Sequence, residues 1–408
     1  MPRSGARAVA RRLHALVAAS LLCVVLACAA ACASGESGPS DNGGNADTRE
    51  PTTRLVESYR NVDLGCGWVP TGSMELSYAK RFTVDYFEGG YALACVADGN
   101  RYLIVPEGAS VPTNLASDIQ VVRQPVGDVY LAASDSMCLF DALGAMDRIS
   151  VSGIERDDWS IPAARDAMDS GAIVYGGKYR SPDYELLLSR GVRLAVESSM
   201  INHAPEVREK LIELGIPVLV ELSSYEDEPL ARVEWVRLYG VLCGEDDRAT
   251  DAFEEQVRQV SSVAPVGTSK TVAFFYLNGS GSAVVRRPGD YVTRMIEQAG
   301  GTYAFGNLED ATLGSSSTTM QMEQFYATAK DADVVIYNGT VGDDVTSLEE
   351  LVDREPLLGR FRAFEQGNVW VTNQNMYQQM MSSGSIIAEL NKVLCGTSDQ
   401  LTYLRRLT

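Results

Sequence analysis

The chain has 408 residues, 45% of them apolar and 22% charged, with 54 acidic against 35 basic side chains and a net charge of −19 at neutral pH. That length suits two globular domains plus tails. The first 31 residues hold four arginines and no acid, so the remainder carries 31 basic against 54 acidic residues, a charge of −23, which excludes an electrostatic footprint for nucleic acid or for an anionic lipid surface.

Arg3, Arg7, Arg11 and Arg12 precede a mostly apolar run from Leu13 to Ala31, the layout of an export signal. Val25-Leu26-Ala27-Cys28 and Ala29-Ala30-Ala31-Cys32 both resemble a bacterial lipobox, whose cysteine becomes the lipidated first residue of the mature chain. Cys32 is preferred because it directly precedes the linker, with Cys28 as the alternative; a plain transmembrane anchor is the competing reading. Residues 33–54 are Gly, Ser, Asn, Asp, Pro and Thr with almost no large apolar side chain, so they form a tether rather than a core. The expected location is therefore outside the cytoplasm, held to the cell membrane by lipid.

Five cysteines follow the signal region: Cys66, Cys95, Cys138, Cys243 and Cys395. Outside the cytoplasm a disulfide is permissible, and Cys66 with Cys95 is the expected pair because both lie in a strand-rich segment. None of the five has zinc spacing.

Residues 80–125 read as β-hairpins, with strands Arg81 to Tyr86 and Tyr91 to Val96 turned at Gly89-Gly90 and Asp98-Gly99-Asn100. A βα repeat follows. Its strands are Val129 to Ala133, Ile149 to Val151, Ala172 to Tyr175, Arg193 to Val196 and Pro217 to Glu221; its helices are Ser136 to Leu143, Ile161 to Met168, Pro182 to Arg190 and Ala204 to Leu214. Such alternation implies a parallel sheet covered by helices. From Pro229 a helical apolar period runs to Gly244, and a second helix runs from Asp246 to Val263, about 25 Å long at 1.5 Å per residue. The pattern then restarts with strand Thr271 to Leu277, short strand Ala283 to Val285, helix Pro288 to Ala299, helix Thr319 to Lys330, strand Asp333 to Tyr337, strand Val369 to Thr372 and helix Ser385 to Leu394. The expected organisation is a signal over 1–32, a linker over 33–54, an N-terminal lobe over 55–245, a linking helix over 246–263 and a C-terminal lobe over 264–408.

Val129 to Ser134, the block from Pro182 to Leu188 running into Val192 to Glu197, and Glu213 to Val220 resemble the iron-complex and cobalamin class of ABC-transporter substrate-binding proteins. Met322 to Phe325 followed by Ala332 to Tyr337 repeats the logic in the second half. The resemblance covers roughly residues 80–395; the hairpin region before 125 departs from the minimal family pattern. It implies an α/β fold of two Rossmann-like lobes with parallel sheets joined by a long rigid helix, as in class III periplasmic binding proteins. It also implies a ligand between the lobes, and as partner an ABC importer permease dimer with its ATPase. One exposed glutamate per lobe, Glu185 and Glu323 by their place in the repeat, would meet the permease.

Ligands of open α/β sheets bind at the carboxyl ends of strands. That rule nominates Ser136 and Met137, Lys178, Tyr179 and Arg180, Met200 and His203, Tyr225, Arg286 and Arg287, and Met376 and Tyr377. His203 is the one histidine outside the signal region, too few for a bare-metal site but able to act as an axial ligand to haem iron or corrinoid cobalt, with Met200, Met376 or Tyr377 opposite. Arg286, Arg287, Lys178 and Arg180 suit the oxygens of an anionic ferric chelate. No P-loop, G-x-S-x-G or His-Glu-x-x-His is present, so an enzyme is not expected. The sequence points to a binder of a ferric siderophore, haem or corrinoid, carried as cargo rather than as a cofactor; a surface-anchored α/β enzyme or an adhesin is the alternative.

Overall fold

A computed structural model of the chain describes residues 56–263, 269–308, 316–342, 344–397 and 401–408. The export signal and its lipobox cysteines, Cys28 and Cys32, and the linker of 33–54 lie outside the described residues.

The first sheet comprises β1 (Gly72–Ser73), β2 (Phe82–Tyr86), β3 (Ala92–Val96), β4 (Arg101–Val105) and β5 (Ile119–Arg123), in spatial order β1-β2-β3-β4-β5. Strands β1 to β4 form antiparallel pairs, as the turn residues predict, but β5 lies parallel to β4 after a crossover through residues 106–118. The two-residue alternation gives this sheet two buried faces. Phe82, Val84, Ala94 and Tyr102 enter a large core shared with the first lobe, while Leu93, Cys95, Leu103 and Val105 close a small core under Leu64 and Phe87.

Cys66 and Cys95 share that small core but are separate thiols, not the expected disulfide. The Cys95 side chain turns instead to the Asn61 carbonyl, to which its thiol donates at 3.4 Å, and burial pushes the thiol's pKa up.

Two buried carboxylates fasten the sheet to the rest of the molecule. Glu234 accepts the backbone N–H groups of Ser77, Tyr78 and Ala79 at 2.7–2.8 Å, and Glu226 accepts those of Lys80 and Arg81 at 2.9–3.2 Å. Charge-assisted bonds to several donors offset the cost of burying an ionised carboxylate.

The second sheet is wholly parallel: β6 (Val129–Leu131), β7 (Ile149–Ser152), β8 (Val174–Tyr175), β9 (Leu194–Ser198) and β10 (Val218–Glu221), ordered β10-β9-β6-β7-β8. Its helices are α1 (Met137–Ala142), α2 (Pro162–Asp169), α3 (Tyr184–Ser189) and α4 (Pro205–Glu213). Asp183 caps α3 by accepting the Leu186 N–H, and Pro162 and Pro205 open α2 and α4 where no amide hydrogen is needed.

The stretch from Pro229 to Gly244 splits at Trp235 into α5 (Pro229–Glu234) and α6 (Val236–Cys243). Gly244 ends α6 at φ 72°, a left-handed conformation glycine adopts without strain. Helix α7 (Asp246–Ser262) follows with acids in its first turn, and lies so close to α6 that a Cβ at Gly240 would fall 2.5 Å from the Ala249 Cβ. Its Ala249 and Phe253 belong to the first core, whereas Val260 packs against the second.

The third sheet holds β11 (Thr271–Leu277), β12 (Ala283–Arg286), β13 (Thr302–Tyr303), β14 (Ser317–Met320), β15 (Val334–Tyr337), β16 (Val369–Thr372) and β17 (Leu404–Arg406). It is mixed rather than parallel throughout: β11, β15 and β16 run parallel, while β12 pairs with β11, β14 with β12 and β17 with β16 in antiparallel fashion. Helices α8 (Tyr291–Gln298), α9 (Met322–Ala329), α10 (Leu348–Arg354), α11 (Arg362–Glu365) and α12 (Ser383–Cys395) complete the lobe around its own apolar core. The expected helix from Thr319 begins in a strand: Ser317 to Met320 pair with β12, and the helix starts only at Met322.

Candidate functional site

A cleft of ≈ 770 Å³ lies between the two lobes. The first lobe brings Asp135 from the turn after β6, Ser199 from the turn after β9, Tyr225 from the turn after β10 and Arg232 from α5. The second brings Arg286 at the end of β12, Asp290 and Tyr291 at the start of α8, and Tyr377 from the loop after β16. Strand ends supply most of these groups because backbone amides and loops are unpaired there, free to face a ligand.

The floor is an arginine and tyrosine lattice. The buried Arg232 reaches the Asp135 carboxylate at 3.2 Å and places its guanidinium carbon 3.9 Å from the centre of the Tyr291 ring, a close cation–π contact between the lobes. Arg286 donates to the Tyr377 hydroxyl and to Ser316 Oγ at 3.3 Å, and pairs with Asp290 at 3.5 Å. Asn338 also donates to the Tyr377 hydroxyl, at 2.9 Å. Burial pushes the Tyr291 phenol far above its ordinary pKa, so it stays neutral and offers a ring face and a hydrogen bond rather than a negative charge. Burial likewise raises Asp290, against the opposing pull of Arg286. Asp227 is exposed at the rim and keeps the lining from being uniformly cationic.

Of the nominated residues, Tyr225, Arg286, Arg287 and Tyr377 line the cleft; the others do not. Ser136 and Met137 are fully buried beneath the floor, where the Ser136 hydroxyl lies 2.7 Å from that of Tyr239 and Met137 joins the first core. Met376 is buried in the second core. Lys178, Tyr179 and Arg180 follow β8, the edge strand at the opposite end of the sheet from β10, and are not in the cleft lining; there Arg180 donates to the Tyr179 hydroxyl at 2.6 Å. Met200 and His203 share a 3₁₀ turn with Ser199, but both are exposed, and only Ser199 reaches the cleft, so His203 is not in position for axial ligation in this arrangement.

Asp290, Tyr291, Arg232 and Arg81 line the cleft without having been singled out from the sequence. Arg232 sits in a helix whose other residues are apolar or buried, so its pattern is that of a core helix. Tyr291 could have been found from Asp290, whose carboxylate accepts the Val292 N–H as the helix cap and so marks the true start of α8 after Arg286-Arg287-Pro288-Gly289. Glu185 and Glu323 are both exposed, each the second residue of its helix, α3 and α9.

No protein-family model matches the chain. Two uncharacterized lipoproteins of Methanocaldococcus jannaschii are similar to it: one is 25% identical over 352 residues, covering 82% of this chain and 86% of the relative, and the other is 22% identical over 370 residues, covering 84% of each. Among solved structures, the periplasmic haem-binding protein HutB of Vibrio cholerae matches with a TM-score of 0.52 and 18% identity, over 64% of this chain and 97% of that one. The petrobactin-binding protein YclQ of Bacillus subtilis matches with a TM-score of 0.52 and 15% identity, over 66% and 93%. These structures are solute-binding proteins, not enzymes. Two α/β lobes on either side of a long helix, with a cleft between them, give this chain the fold of the class III periplasmic substrate-binding proteins of ABC transporters.

Proposed function

We propose that the protein is an extracytoplasmic lipoprotein that captures a ferric siderophore, haem or corrinoid in the inter-lobe cleft and delivers it to an ABC importer. The observation that supports this reading best is the lattice of Arg232, Arg286, Tyr291 and Tyr377 across the cleft floor. Ring faces cover a flat or bulky complex, and guanidinium groups meet oxygens at its edge. The lipobox cysteines and the lipoprotein names of the two relatives support the anchor.

Titration with hemin, a ferric tris-catecholate and cyanocobalamin, followed by absorbance and intrinsic fluorescence, tests the reading. Saturable one-to-one binding of at least one is expected, and Arg286→Ala should weaken it by about 100-fold, in the range of a buried arginine at the centre of a recognition site. No saturable binding of any of the three would end the proposal.

Delivery makes a separate demand on the surface. Glu185 and Glu323, one per lobe, are assigned to basic residues of the two permease subunits, where charge steers docking more than it affects cargo. Glu185→Lys with Glu323→Lys should leave cargo affinity within twofold and lower uptake by about tenfold or more in cells. Unchanged uptake in the double variant would make both residues ordinary solvated acids.

A further inference from the structure

The leading sheet touches the cleft through Arg81, the residue immediately before β2. We infer that this sheet completes the cargo site, and that Arg81 adds a further guanidinium, beyond those of the cleft floor, that receives an anionic group of the cargo; the inference rests on the cleft being the cargo site.

The other arginines of the lining are already engaged. Arg232 is paired with Asp135, Arg286 with Asp290, and Arg294 with Glu228 and Glu297, while Arg287 is buried with its Nε on the Ser317 carbonyl. Each of these side chains already holds a carboxylate or a backbone oxygen, although the buried Arg232 Nε has no hydrogen-bond partner among the described residues. Arg81 has no ion pair among the described residues. Its one side-chain hydrogen bond runs from Nε to the Tyr225 carbonyl, at 2.8 Å, which leaves both terminal nitrogens without a partner.

Those two nitrogens are held in place from behind. Glu226 fixes the backbone by accepting the Lys80 and Arg81 N–H groups, and is itself fixed by the Trp235 indole N–H at 3.2 Å. The Arg81 guanidinium carbon sits 5.9 Å from the centre of the Tyr225 ring, and the Tyr225 hydroxyl is 2.8 Å from Ser199 Oγ. A half-exposed guanidinium tied down at Nε presents a two-pronged edge, the geometry that takes two oxygens of a carboxylate, catecholate or phosphate.

The match to HutB spans 64% of 408 residues, about 261, fewer than the 283 from 126 to the C-terminus, so the two lobes alone can accommodate it. The first lipoprotein relative covers 82%, about 335 residues, more than those 283, so its similarity extends into the leading region.

The test uses Arg81→Gln and Arg81→Lys in the full-length protein, with whichever of hemin, ferric tris-catecholate and cyanocobalamin the wild type binds, at low and high salt. Arg81→Gln should weaken binding about tenfold and flatten its salt dependence, while Arg81→Lys should lose about threefold and keep the salt dependence, since it retains the charge but not the fork. Affinity within twofold of wild type for Arg81→Gln, or an equal loss in both variants with wild-type salt dependence, would overturn the inference while leaving the cargo site standing. Failure of the wild type to bind any of the three would remove both. If Arg81→Gln does not fold, wild-type affinity in Arg81→Lys decides against the fork.

Discussion

Wild-type protein is expected to lose stability as the pH rises from about 5 to about 8, and Glu197→Gln should lose distinctly less. Glu197 lies in β9, fully buried, and neither carboxylate oxygen has a hydrogen-bond partner among the described residues. Burial alone pushes its pKa from the usual 4.5 up to about 8. Between those two values the folded protein keeps a proton that the unfolded chain releases, so unfolding gains as pH rises. The loss is about 1.4 kcal/mol for each pH unit crossed, up to about 5 kcal/mol over the whole window. Below the unfolded value both states are protonated, and above the folded value both are ionised, so the dependence is flat on either side. Burial also raises Glu221 and Glu226, so the glutamine variant keeps part of the slope and loses one proton's share. Urea unfolding of both proteins across the pH series measures the difference. Equal slopes would place the retained proton on another group.

Glu234→Gln should destabilise the protein by about 3 kcal/mol or more. Its carboxylate, with no exposed surface, receives three backbone N–H groups from Ser77 to Ala79, all at 2.7–2.8 Å. An amide has one acceptor oxygen where the carboxylate has two, and its NH₂ would face donors. At least one buried N–H is then left unsatisfied and a charge-assisted cluster is lost, a combination that falls in the range of a few kcal/mol. The same change frees the chain just before Phe82, whose ring packs edge-on against Trp235 at 4.9 Å, so the leading sheet should also become more open to proteolysis near residues 70–81. Glu185→Gln on the surface is the control, expected to change stability by less than about 0.5 kcal/mol. If Glu234→Gln unfolds at the wild-type urea concentration, the clamp is not what holds the sheet.

The parts of the fold that local pattern encodes were readable in advance. Thr271 to Leu277 and Val369 to Thr372 are apolar runs of strand length, and both strands have those bounds. Gly244 before three acids marked the end of one helix and the start of the next, and α7 begins at Asp246. The segment from Thr319 misled because Met322, Phe325, Tyr326 and Ala329 keep a helical spacing just beyond it, while the β-branched Thr318 and Thr319 belong to a strand whose partner, β12, lies more than thirty positions earlier.

The cleft is a different matter. Arg81, Asp135, Arg232, Tyr291 and Tyr377 come from five separate stretches, and only the strand order and the placement of α5 between the lobes bring them together. The rule that ligands sit at strand ends selected every such loop equally, so Lys178 after an edge strand looked as good as Tyr225 after a strand beside the cleft. Burial pattern is periodic along the chain, which is why composition, spacing and caps sufficed for the α/β class, the two halves and the helix between them. Contact between halves has no such period: which arginine is already paired, which tyrosine faces the gap and which glutamate is sealed in without a partner depend on distances across sheets, and those exist only once the chain has folded.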